Sequence, residues 1–112
     1  MKIYHNPRCS KSRQTLALLK ENVIDPEVIL YLDKAPTTQE LLDLLNKLQL
    51  SPIQLVRKGE AIWKEKFKGK DLSDDDIIKA MILNPKLIER PIVVKGNKAV
   101  LGRPPENVLQ LI

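Results

Sequence analysis

Apolar positions along this chain follow two rhythms, one of strands and one of helices. Residues 2–5 form a short β-type run that Asn6-Pro7 terminates. From Cys9 or Ser10 to about Asn22, Leu16, Leu19 and Val23, with Leu18 beside them, recur at helical spacing. Residues 27–32 are then a near-continuous apolar, β-branched stretch, the pattern of a strand buried on both faces. Strand, helix and strand in that order predict a βαβ unit with a parallel pair.

The middle of the chain switches to helical period. Thr37 with Glu40 three positions on forms a capping box that opens an apolar helix through Leu41, Leu44, Leu45 and Leu48. Ser51-Pro52 starts a short helix through Ile53, Leu55 and Val56 towards Arg57. Ser73 ahead of Asp74, Asp75 and Asp76 is a helix start whose acids match the dipole, and Ile77, Ile78, Met81 and Ile82 supply its buried stripe. That acidic block is therefore structural. Trp63 and Phe67, four apart, fit a satellite core.

β structure returns at the end. Residues 91–95, the turn Gly96-Asn97 and residues 98–102 predict a hairpin with a two-residue turn. Arg103-Pro104-Pro105 stops the second strand, and residues 105–111 fit a closing helix with Pro near its start. The order β-α-β, helices, β-β-α predicts an α/β, thioredoxin-like fold. Its mixed four-stranded sheet carries an all-helical insertion, about residues 37–84, between the second and third strands. At 112 residues the expectation is one domain over 1–112.

Composition narrows the function classes. The chain is 43% hydrophobic and 29% charged, ordinary for a globular protein, with no run as long as a membrane span. No apolar leader opens it, so the expected compartment is the cytoplasm. The net charge is +5, but there is no long Lys/Arg run and aromatics are only 4%, which argues against a nucleic-acid partner. The first twenty residues hold five basic side chains and no acidic one, better suited to a small anion. Nothing demands a dimer, and a monomer is expected.

The single cysteine, Cys9, follows the first strand and sits at the start of the first helix. A lone cysteine is more often an inert core residue. Here, however, unpaired backbone N–H groups and the positive end of the helix dipole favour thiolate, and Arg8, Lys11 and Arg13 lie close in sequence. Cys9 therefore reads as a nucleophile. Ser12 occupies the place of a resolving cysteine in Cys9-x-x-Ser12, so no internal disulfide can form and any redox cycle must borrow an external thiol. One Cys and one His cannot build a structural zinc site. A cysteine-phosphatase loop fails on spacing, because six positions after Cys9 is Thr15 and the nearest arginine is Arg13.

His5 would act electrostatically, as an imidazolium that lowers the thiol pKa. Arg57, Arg90 and Arg103 each precede or follow an element boundary. In a thioredoxin-like layout the segment before the third strand lies beside the first helix's N-terminus, which places Arg90 within reach of Cys9. Guanidinium forks grip tetrahedral oxyanions bidentately, as lysines cannot.

Four stretches taken together, His5-Asn6-Pro7-x-Cys9-x-x-Ser12-Arg13, Leu55-Val56-Arg57-Lys58, Arg90-Pro91-Ile92-Val93-Val94 and Gly102-Arg103-Pro104, resemble the glutaredoxin-coupled arsenate reductase (ArsC-like) family. They run in order over nearly the whole chain. The resemblance implies an oxidoreductase that turns arsenate into arsenite with no bound cofactor, glutathione as co-substrate and glutaredoxin as partner. It implies Cys9 as nucleophile, with His5 and Ser12 promoting its thiolate, and Arg57, Arg90 and Arg103 binding the oxyanion. Arg8 and Lys11 stand where the best-known members have small or uncharged residues, and the chain resembles the shorter, chromosomally encoded branch. Two other readings are a glutathione-dependent thiol reductase with another substrate, and a regulator that binds RNA polymerase. The second class typically uses a Cys-x-x-Cys pair, which Ser12 breaks.

Overall fold

In the computed structural model, which describes residues 1–112, the chain divides into two compact units, Met1–Lys34 with Arg90–Ile112, and Ala35–Glu89. The first unit contains β1 (Lys2–Tyr4), α1 (Ser10–Glu21), β2 (Glu27–Ile29), β3 (Ile92–Lys95), β4 (Lys98–Leu101) and a closing 3₁₀ helix, Pro105–Leu111. The strands form one sheet in the order β2-β1-β3-β4. β1 runs parallel to β2, with Ile3 opposite Val28. It runs antiparallel to β3, with Ile3 opposite Val93, and β3 pairs antiparallel with β4. This is the mixed four-stranded sheet that the patterning predicts.

Hydrophobic burial places α1 and the closing 3₁₀ helix on the sheet. Ile3, Leu19, Val93, Val108 and Leu111 pack into one buried cluster, drawn from β1, α1, β3 and the C-terminal segment. Gly96 takes a positive φ of 60° in the β3–β4 turn, as the two-residue hairpin requires. The closing segment is 3₁₀ throughout rather than α.

One expectation is overturned. Residues 27–32 do not form a strand buried on both faces. β2 spans only Glu27–Ile29 at the sheet edge, and Glu27 and Val28 are exposed. The chain then turns, with Asp33 N–H donating to the Leu30 carbonyl at 3.0 Å. Leu30 and Leu32 are apolar for a reason other than pairing, because both line a cleft described below.

The second unit is helical: α2 (Thr38–Leu48), α3 (Pro52–Leu55), α4 (Ala61–Lys66), α5 (Asp74–Leu83) and a 3₁₀ turn, Pro85–Leu87. The predicted Thr37–Glu40 capping box forms, and the predicted helix start at Ser73 is closed by a second box with Asp76. Trp63 stacks on Phe67 with centroids 5.6 Å apart. Val56 leaves the helix for an extended conformation and bridges Ile88, so α3 is shorter than its apolar pattern suggested.

Candidate active site

The β1–α1 junction is built around Asn6. Its side-chain Oδ1 accepts from the Arg8 N–H at 3.0 Å, and its carbonyl accepts from the Cys9 N–H at 3.0 Å. Its own N–H donates to Ser12 Oγ at 3.0 Å. These three bonds fold residues 6–9 into a fixed turn and set Cys9 as the N-cap of α1, in extended conformation with φ −95° and ψ 123°. Sequence reasoning gave Asn6 no role beyond ending the strand. Its signal was the Asn-Pro pair, since Asn side chains bond the backbone two residues on.

At this cap the Cys9 thiol is half-buried. Burial alone pushes its pKa up, but the backbone N–H groups of Ser12 and Lys11 and the charges of Arg90 and Arg103 pull it down. The net result is a pKa below the ordinary thiol value. The helix N-terminus thus acts here through identified N–H donors as well as through its dipole.

Two of the three predicted arginines share this unit. Arg103, just past β4, points Nη1 to 3.9 Å from Cys9 Sγ and donates to the Arg90 carbonyl at 3.2 Å. Arg90 is buried, only 6% exposed, at the entry to β3. The peptide bonds Arg90–Pro91 and Arg103–Pro104 are both cis. Arg57 belongs to the helical unit, where its Nε lies 3.9 Å from Glu60 and 4.0 Å from Glu89.

His5 and Ser12 also meet, with Nδ1 and Oγ 2.6 Å apart in a buried contact. The expected imidazolium is corrected. Burial, then the charges of Arg13 and Lys20, hold the His5 pKa below its ordinary value of 6.5, so the ring is neutral at pH 7. His5 therefore meets Ser12 as a neutral ring through this hydrogen bond. Behind the site, Thr15 donates to the Lys11 and Gly102 carbonyls at 2.9 and 3.3 Å, tying α1 to the β4 exit that carries Arg103.

The parallel β-α-β pair, the hairpin and the thiol at the first helix cap together define a thioredoxin-like protein with a single-thiol centre. Comparison makes this more specific: the ArsC family model matches residues 4–111, and the chain belongs to that family. It is 53% identical to the protein YfgD of Escherichia coli strain K12, over 100% of this chain and 96% of that one. It is 45% identical to an arsenate reductase of Haemophilus influenzae, over 98% of this chain and 97% of that one. The solved structure of an arsenate reductase from Vibrio cholerae superposes with a TM-score of 0.95 at 50% identity, covering 99% of this chain and 96% of its own.

Proposed function

We propose that this chain is an arsenate reductase that uses glutathione and glutaredoxin and carries no bound cofactor. The observation that carries the reading is the Cys9 thiol, shifted towards thiolate at the α1 cap with the Arg103 guanidinium 3.9 Å away. Relatives named arsenate reductase, matched over nearly their full length, support the substrate. Arg90 and Arg103 offset the charge of an incoming arsenate dianion, which would otherwise repel an anionic nucleophile. Arg57 joins them in this reading on the strength of the sequence resemblance.

The Cys9 thiolate attacks arsenic, forming a sulfur–arsenic bond as one arsenate oxygen departs as water. The glutathione thiol displaces a second oxygen as water, so arsenic bridges two sulfurs. A glutaredoxin thiolate then attacks the glutathione sulfur. The arsenic–glutathione bond breaks, its electron pair stays on arsenic, and a glutaredoxin–glutathione mixed disulfide leaves. Water releases arsenite from the reduced adduct and returns the Cys9 thiol. Ser12, where a resolving cysteine would stand, is why both electrons come from outside the chain. Consumption of reduced glutathione suits the cytoplasm expected from the sequence.

The test is arsenite formation from arsenate with glutathione and glutaredoxin supplied together, then each withheld in turn. Turnover should require both and vanish in Cys9→Ser. Full turnover by that variant, or with both thiols withheld, refutes the reading. Arg57→Ala should raise the KM for arsenate without changing the rate of Cys9 alkylation.

A further inference from the structure

A cleft of about 260 Å³ opens at the carboxyl ends of the parallel strands β1 and β2. Residues His5, Asn6, Pro7 and Arg8 line it on one side, and Leu30, Leu32 and Asp33 on the other. Crevices at this end of parallel strands are common ligand sites. This one is smaller than the usual range for whole drug-sized ligands, and matches one or two residues of a peptide. It carries a cation, Arg8, and an anion, Asp33, and no ion pair joins them. Leu30 and Leu32, just past the end of β2, add apolar lining.

Opposite charges set on either side of a small apolar cleft match an amino-acid head group, whose carboxylate and ammonium lie on one carbon. The cleft also adjoins the nucleophile. Arg8 lines it, and Cys9 is the next residue, its Cα about 3.8 Å further along the chain. The Asn6 turn fixes the path of the chain from Arg8 to Cys9 through the Arg8 and Cys9 N–H bonds. We propose that this cleft holds the zwitterionic γ-glutamyl end of glutathione, Arg8 taking its α-carboxylate and Asp33 its α-ammonium, so that the tripeptide's thiol is delivered towards Cys9. The inference rests on glutathione being the co-substrate, and it gives Arg8, unabsorbed by the oxyanion site, a specific task.

Binding without chemistry separates this inference from the reductase reading. S-methylglutathione, which cannot form a bond to arsenic, is titrated calorimetrically into the intact protein and into Arg8→Ala and Asp33→Ala. Each substitution should weaken binding about tenfold, the scale of one charge-assisted hydrogen bond. Acetylating the ligand's α-amino group should cost the intact protein about tenfold and cost Asp33→Ala nothing further. Both side chains are exposed, so folding of the variants is not at risk. Absence of binding by the intact protein, indifference to both substitutions, or an equal acetylation penalty in Asp33→Ala overturns the proposal. Failed arsenate turnover alongside the predicted binding pattern would leave the cleft standing and remove only the reductase reading.

Discussion

Gly102→Ala should damage both the fold and the site. Gly102 sits immediately before Arg103 and donates its N–H to the Pro91 carbonyl at 2.9 Å. A Cβ there would stand 2.5 Å from Thr15 Oγ1, 2.8 Å from Pro91 Cγ and 3.0 Å from Thr15 Cγ2. Comfortable heavy-atom separations are roughly 3.5 Å, so the closest contact is short by about 1 Å. Thr15 cannot give way. It is fully buried, and its hydroxyl is held by the Lys11 and Gly102 carbonyls. Its β-branched side chain has few rotamers in a helix. The backbone must move instead, at about 2 kcal/mol for such overpacking. In a domain of this size that lowers Tm by about 8 °C. The movement carries Arg103 away from Cys9, so the thiol pKa should rise as well. Thermal unfolding followed by circular dichroism reads the first effect, and the pH dependence of iodoacetamide alkylation reads the second. Thr15→Ala removes two of the three clashing atoms, so the double variant should be less destabilised than the sum of the singles by at least about 0.5 kcal/mol. An unchanged Tm in Gly102→Ala, or strict additivity with Thr15→Ala, would show that the close approach is not what excludes a side chain.

Val23, 95% exposed with φ 61° just past the end of α1, holds a left-handed conformation that β-branched residues disfavour, so Val23→Gly should stabilise by about 1 kcal/mol, against no change or a loss if that backbone is unstrained. Thr37→Ala removes the α2 cap and should cost about 1 kcal/mol in urea unfolding, a result within error of zero contradicting the capping assignment. His5 has a folded pKa below its unfolded value of about 6.5, so its contribution to stability is complete above that pH and is lost as pH falls towards the folded value. Tm should therefore decline as pH falls below about 6.5, with a shallower decline in His5→Asn, and identical slopes in the two proteins would dismiss a buried neutral His5.

What could be read from the sequence was what local chemistry decides. Thr37 and Ser73 announce helix starts because a hydroxyl three residues from a carboxylate satisfies orphan N–H groups wherever the helix ends up. Gly96-Asn97 announces its hairpin for a similar reason, and Cys9 at the cap follows from the strand-turn-helix pattern alone. Strand order is a different kind of information. The apolar stretch 27–32 looks like a central strand because patterning does not distinguish residues facing a core from residues lining a cleft. The charge state of His5 was hidden too, since burial and the charges of Arg13 and Lys20 arise only once the chain folds. The Thr15–Gly102 contact joins residues 87 positions apart, and neither residue type predicts it.

The ionisation of Cys9 is the most direct test. Alkylation rate should be followed against pH in the intact protein and in Arg103→Ala. Competing burial and N–H and guanidinium stabilisation leave the thiol pKa lowered, so the intact midpoint should fall below the ordinary thiol value and move upward when Arg103 is removed. A midpoint at or above that value, indifferent to Arg103, would mean that Cys9 is an ordinary thiol and that the site does not activate it.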